Sequence, residues 1–164
     1  MVNDPTRYGS HLPLLLRLLS ITDSDVLELG TGFFSTPIIN AACELNKRRA
    51  DSYDSNEKYY NIAKWYEGEC HKVHFVEDWD NIPIEKKWDV AMIDHLDPRR
   101  GGDALRIANY ATFIVLHDTC PKNMHKFGYD TAIPKFKYHY RLSHKRPNTS
   151  VVSNFVDLST VNLW

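Results

Sequence analysis

The chain has 164 residues, enough for one compact domain and too few for two. Hydrophobic residues make up 43% and charged residues 25%, ordinary proportions that exclude a disordered or fibrous polymer. Its 20 basic and 21 acidic residues leave a net charge of −1, without the basic excess that nucleic-acid binders commonly use, so no nucleic-acid partner is expected.

Cys43, Cys70 and Cys120 are odd in number and widely spaced, which fits neither a disulfide framework nor a zinc ribbon. They read as free thiols in a reducing compartment. The longest apolar run near the N-terminus, residues 12–19, is broken by Pro13 and Arg17 and is too short to span a bilayer. It also lacks the flanks of a signal peptide. The expectation is a cytoplasmic protein with no membrane association.

In chain order, Tyr8, Leu12, Leu15, Leu16 and Leu19 recur at helical spacing and predict a helix over residues 8–20. Residues 25–29 form a short apolar run closed by Gly30, the pattern of a buried strand. Ser35 or Thr36 suits the cap of the next helix, Pro37 its first position, and Ile38, Ala41, Ala42 and Leu45 its apolar stripe. A second strand is predicted near residues 49–53. Ser55 or Asn56 then caps a helix with Tyr59, Ile62, Ala63 and Tyr66 inward, ended by Gly68.

Residues 73–76 and 88–93 read as the third and fourth strands. Residues 99–109 read as a helix with Ala104, Leu105 and Ala108 inward, and residues 112–116 as a fifth strand. Residues 136–142 and 151–158 are rich in β-branched and aromatic side chains and predict an antiparallel pair. Five strand–helix alternations imply parallel strands with helices on both faces, and the hairpin extends one edge. The expected fold is a doubly wound α/β domain with a mostly parallel, seven-stranded sheet. Ligands of such sheets bind beyond the carboxyl ends of the strands, where the winding reverses.

Several residues at those ends could carry chemistry. Gly30-Thr31-Gly32 turns from strand to helix, but Ser35 stands where a dinucleotide fingerprint has its third glycine, and the Lys of a phosphate-binding loop is missing. Glu28 lies inside an apolar strand, where a carboxylate is costly unless it meets donors or a cation. Asp54 ends the next strand at the distance where dinucleotide folds place a ribose-binding acid. Asp78-Trp79 follows the third strand; there a carboxylate can accept from an adenine amino group while the indole packs on the ring.

VLELGTG (26–32), SYDSN (52–56), VEDWD (76–80), VAMIDH (90–95) and FIVLHDT (113–119) together resemble the ordered motifs of class I S-adenosylmethionine-dependent methyltransferases. The resemblance spans roughly residues 8–158 and extends to the closing strands, one of them antiparallel. It implies a minimal member of that family with S-adenosylmethionine as cofactor. The cofactor contacts it implies are Glu28, Gly30, Thr31, Gly32, Phe33, Ser35, Thr36, Asp54, Asp78, Trp79 and Asp94. Phe33-Phe34-Ser35-Thr36 departs from the family's glycine pattern, and Ser35 or Thr36 would bond the cofactor carboxylate.

Methyl transfer asks the protein to align a nucleophile, take its proton if necessary and exclude water. Asp94, His95 and Asp118 are the candidate catalytic residues; His95, Arg99, Arg100 and His117 are the candidates for holding a small, anionic acceptor. Arg141, Lys145 and Arg146 would extend a basic rim. Catechol-type members of the family bind a metal with an Asp after the fourth strand and an Asp-Asn pair after the fifth; Thr119 replaces the amide here, so no metal is expected. The alternatives are a cofactor-binding module or partner subunit without turnover, and an NAD-dependent oxidoreductase, which the incomplete glycine fingerprint and the missing second domain disfavour. Tyr129, Tyr138 and Tyr140 read as exposed aromatics that either mark an interface or pack the sheet edge, and the oligomeric state stays open.

Overall fold

The structure, a computed structural model, describes residues 8–95, 98–144 and 146–163. Asp97 and Lys145 lie outside the described residues. Seven strands form one sheet: β1 (Val26–Leu29), β2 (Ala50–Asp54), β3 (His71–Phe75), β4 (Trp88–Ile93), β5 (Ala111–Leu116), β6 (Tyr138–Leu142) and β7 (Thr149–Ser153). Their order is β3-β2-β1-β4-β5-β7-β6. Neighbours among β1 to β5 pair in parallel, whereas β7 runs antiparallel to both β5 and β6. The winding reverses between β1 and β4, so their carboxyl ends form the crevice where such sheets take ligands.

The helices are α1 (Leu12–Ser20), α2 (Ser35–Asn46), α3 (Glu57–Ala63), α4 (Arg100–Arg106) and the single turn α5 (Tyr129–Ala132). No helix among the described residues is long and apolar enough to cross a membrane. Alternate residues of the central strands feed two separate cores. Val26, Val90, Met92, Phe113 and Val115 pack with Leu14, Leu15, Leu18 and Ile39. Leu27, Leu29, Ala91, Ile93, Ile114 and Leu116 pack with Trp79, Ala104, Ile107 and Tyr129. A strand covered on both faces reads as a continuous apolar run, which is why β1, β4 and β5 are plain in the sequence.

Several expectations need correction. The first helix starts at Leu12 rather than at residue 8, because Pro13 is accommodated only in a first turn, where its missing N–H costs nothing. Neither Ser35 nor Thr36 caps α2; both lie inside it and are buried, with Phe34 at the cap position. Its buried apolar residues are Ile39 and Cys43, with Ile38 and Ala42 packed beside them against the core, while Leu45 is 82% exposed. Asn56 does cap α3 by accepting from Lys58 N, but only Ala63 of that helix is buried, Tyr59 is exposed, and a 3₁₀ turn at Lys64–Tyr66 ends the segment before Gly68. The helix predicted over 99–109 shortens to α4. Tyr129 is fully buried and is not an interface residue.

α4 is fixed by backbone contact rather than by side chains alone. Gly101 N donates to Phe127 O at 2.8 Å, and a Cβ on Gly101 would stand 2.3 Å from the Gly128 carbonyl oxygen. Gly101→Ala is therefore expected to destabilise the domain by about 2–3 kcal/mol, measured as a lowered urea midpoint with unchanged slope.

Candidate functional site

At the end of β1 the chain turns through Gly30 with φ +92°. A Cβ there would lie 2.5 Å from the Asp94 carbonyl carbon, so the turn passes directly over the end of β4. Gly32 is different: nothing stands within 4 Å of where its Cβ would be. Phe33 beyond it is exposed. Thr31 donates to Asp54 Oδ2 through its N–H (2.7 Å) and its hydroxyl (3.0 Å), and Asn56 N donates to Asp54 Oδ1 at 2.7 Å. Three bonds on one carboxylate leave room for one more of its four acceptor sites.

Glu28 points beneath this loop and is wholly buried. It accepts from Ser52 Oγ (2.6 Å) and from Thr36 Oγ1 (3.0 Å), while Thr36 Oγ1 itself accepts from Gly32 N at 2.9 Å. Ser52 Oγ also meets His71 Nε2 at 2.7 Å. Glu28 is thus joined to the loop donors, one of the two placements that the sequence left open. Burial pushes its pKa up to about 7, and hydroxyls from Ser35, Ser52 and Thr36 offset only part of that rise.

Asp78 and Trp79 separate into different roles. Asp78 is exposed and accepts from Asp80 N (2.9 Å) and Asn81 Nδ2 (2.7 Å), capping a 3₁₀ turn. Trp79 is buried in the core, 4.4 Å from the His95 ring between centroids. His95 Nε2 in turn lies 2.8 Å from Asp103 Oδ2. This histidine belongs to the packing of α4 on the sheet and does not line the neighbouring cavity. Arg99 is likewise engaged by Asp80 (2.7 Å) and Asp103 (3.3 Å).

The chemistry-bearing cluster sits where β4 and β5 end. Arg100 Nη2 pairs with Asp94 Oδ1 at 2.9 Å, and Nη1 lies 3.5 Å from Asp118 Oδ2. Arg100 Nε donates to the His95 carbonyl (2.7 Å), and the guanidinium rests 4.2 Å from the Phe127 ring centre. His117 Nδ1 lies 3.0 Å from Asp94 Oδ2, its Nε2 lies 3.2 Å from Ser10 Oγ, and its carbonyl accepts from the Tyr129 hydroxyl. Asp118 holds a left-handed backbone at φ 62°, a conformation that Asp tolerates better than most residues.

Burial works against a charge on His117, but the Asp94 and Asp118 carboxylates more than offset it and raise its pKa above the ordinary value. Asp94 shows the converse: burial pushes it up, while His117 and Arg100 hold it below the usual carboxylate range. Arg100 and His117, expected to touch an acceptor, are thereby built into the cluster, and Ser10, His11 and Tyr129 join it without any sequence signal. His11 packs edge-on against His117 with ring centres 4.8 Å apart, and burial pushes its pKa down to about 3.

Asp94, His117 and Asp118 also offer three ligand atoms within 4.8 Å of one another, a geometry that could hold a divalent cation. Arg100 already brings positive charge to both carboxylates. Thr119 takes no part: its hydroxyl accepts from Ser150 on the adjacent strand. Beside His117 and Asp118 opens a cavity of about 990 Å³, walled by Tyr8, Lys122, Arg146 and Asn148 among others. It lies between the β5 loop and the β6–β7 turn, at the same sheet edge as Gly32.

No family model and no curated protein matches the sequence. Solved structures do match. An O-methyltransferase from Bacillus cereus in complex with S-adenosylhomocysteine superposes with a TM-score of 0.65 at 14% identity, over 93% of this chain and 84% of that one. The O-methyltransferase TomG from Streptomyces achromogenes, in complex with S-adenosylmethionine, gives 0.62 at 13%, covering 93% and 82%. Human methyltransferase-like protein 13 in complex with S-adenosylhomocysteine gives 0.61 at 17%, covering 90% and 79%.

Glu28 generates a pH dependence with a definite sign. The folded chain keeps its proton up to about pH 7, whereas the unfolded chain releases it near 4.5. Stability from this group is complete below pH 4.5, declines as pH rises, and is gone above 7, a loss on the order of 3 kcal/mol. Urea unfolding at pH 5 and pH 8 is expected to show this contribution in the native sequence, with the difference shrinking accordingly in Glu28→Gln.

Proposed function

We propose that this chain, which has the fold of the class I S-adenosylmethionine-dependent methyltransferases, binds that cofactor across its Gly30–Gly32 turn and methylates an oxygen or nitrogen of a small acceptor. The observation that carries the reading is the cavity of about 990 Å³ beside the Asp94–His117 pair, opening at the same edge as the uncovered Gly32. The residues present fit the cofactor. Gly32 leaves space where a side chain would obstruct, and Asp54 retains an acceptor site suited to a ribose hydroxyl. The bound S-adenosylmethionine and S-adenosylhomocysteine of the matched structures support the same ligand.

When bound, the cofactor supplies an electrophilic methyl carbon on a positively charged sulfur. The chain supplies position and proton transfer. Glu28 holds the loop through Thr36, Asp54 takes the ribose, and Asp78 lies on the rim where the adenine is expected. His117 is the general base in this reading. Asp94 orients it and favours the proton on Nδ1, leaving Nε2 to accept from the acceptor. Asp118 keeps Arg100 in place, and His95 acts through packing rather than at the reacting atoms.

Isothermal titration with S-adenosylhomocysteine tests the cofactor half. Binding is expected, with Asp54→Ala weakening it by about tenfold or more, as loss of a charged hydrogen-bond partner predicts; absence of binding to the native chain would sink the proposal. A methyl-transfer assay over phenols, alcohols and amines tests the other half. His117→Gln is expected to lower kcat by roughly 10²–10⁴. Turnover should rise with pH through an apparent pKa above the ordinary histidine value, because the raised His117 must lose its proton to act. Asp94→Asn should move that rise to lower pH.

The non-catalytic alternative draws on Ser10, whose hydroxyl covers His117 Nε2 at 3.2 Å. It predicts cofactor binding with no methyl transfer to any acceptor tested.

A further inference from the structure

We infer that the acceptor carries a compact anionic group, a phosphate monoester or a carboxylate, gripped by Lys122 and Arg146 on the wall of the cavity that His117 and Asp118 also line. This rests on the reading of that cavity as the acceptor site and names the substrate class it takes.

The sequence suggests an anion clamp at Arg99-Arg100, but both guanidinium groups are consumed by Asp80, Asp103, Asp94 and Asp118. The cations that face the cavity come from elsewhere. Lys122 and Lys126 lie on the segment after β5, and Arg146 lies on the turn between β6 and β7. Neither Lys122 nor Arg146 has an ion-pair partner among the described residues, and both are exposed at the wall. Lys126 sits over the Phe127 ring at 4.9 Å. The one carboxylate on the lining is Asp118, already tied to Arg100. Two exposed cations, Lys122 and Arg146, without an ion-pair partner among the described residues at the wall of one cavity attract a compact anion.

A second, independent feature points to a ligand. Asn148 lines the same cavity at 8% exposure, and its Oδ1 is buried with no hydrogen-bond donor. Its backbone N–H is occupied by Cys120 Sγ. A buried carbonyl oxygen without a donor is a cost that a ligand hydroxyl or amine N–H would remove. Donor-seeking Asn148 and the cations therefore describe one molecule: a hydroxyl or amine compound bearing an anionic group.

The test is isothermal titration of phenyl phosphate, benzoate and uncharged phenol into the full chain saturated with S-adenosylhomocysteine, and again without it. Phenyl phosphate or benzoate is expected to bind at least about tenfold more tightly than phenol, and whichever is tighter identifies the anion. Lys122→Glu and Arg146→Glu should each weaken that binding by about tenfold or more while leaving S-adenosylhomocysteine affinity unchanged; Lys122→Ala and Arg146→Ala serve as milder variants. Equal binding of phenol and the anions, indifference to all four variants, or competition between the anion and S-adenosylhomocysteine would overturn the inference. If S-adenosylhomocysteine fails to bind but the anion binds and responds to the variants, the anion site stands and the methyltransferase reading falls.

Discussion

A guanidinium withdrawn from water needs partners, and Arg100 lies among two carboxylates, the Asp94 and His95 carbonyls and the face of Phe127, although its Nη1 makes no hydrogen bond and meets Asp118 as an ion pair. Those partners belong to the loops after β4 and β5 and to the segment before α5. Meeting them fixes how these pieces lie relative to one another. The direction of Asp94 follows, and with it the orientation and charge of His117. The close backbone approach of Gly101 to Gly128 seats the first turn of α4 where Arg100 reaches both acids. A larger residue at Gly101 would disturb the chemistry by displacing Arg100.

The two ends of the crevice treat carboxylates in opposite ways. Glu28 is surrounded by hydroxyls, which bond it without bringing charge, so burial dominates and its proton is retained toward neutrality. Asp94 is only partly enclosed and faces Arg100 and His117, whose positive charge holds it below the usual carboxylate range. The neutral end is suited to anchoring a loop whose shape should not depend on charge. The ionic end is suited to moving a proton. Such a division between oppositely tuned acids is common where one fold performs both binding and chemistry.

Much of the fold was legible in the chain itself. β1, β4 and β5 sit between two helical layers, so their residues are mostly apolar on both faces, with Glu28 the buried exception in β1, and such short runs closed by turn residues marked the strands. Helix faces were harder. In α2 Ile38 and Ala42 of the expected stripe do pack against the core, but Ile39 and Cys43 are the fully buried residues and Leu45 is exposed, because short mixed sequences allow more than one rotation about the axis. Ser35 and Thr36 look like caps in sequence and instead serve Glu28 and Gly32 from inside the helix. At the candidate site, the strand-end acids were visible from their positions, but His95 and Arg99 gave no sign that Asp103 and Asp80 would claim them.

The sequence by itself determined the alternation of strands and helices, the doubly wound class and the acids at the strand ends, since these depend on local periodicity and on the rule that crossovers return to the same edge. Tertiary structure alone decided which histidine meets Asp94, that Ser10 and Tyr129 pack against that histidine, and that Asn148 lines the cavity beside it. Those outcomes depend on side chains from distant loops competing for the same partners, and that competition is settled by distance and burial, quantities that no local pattern encodes.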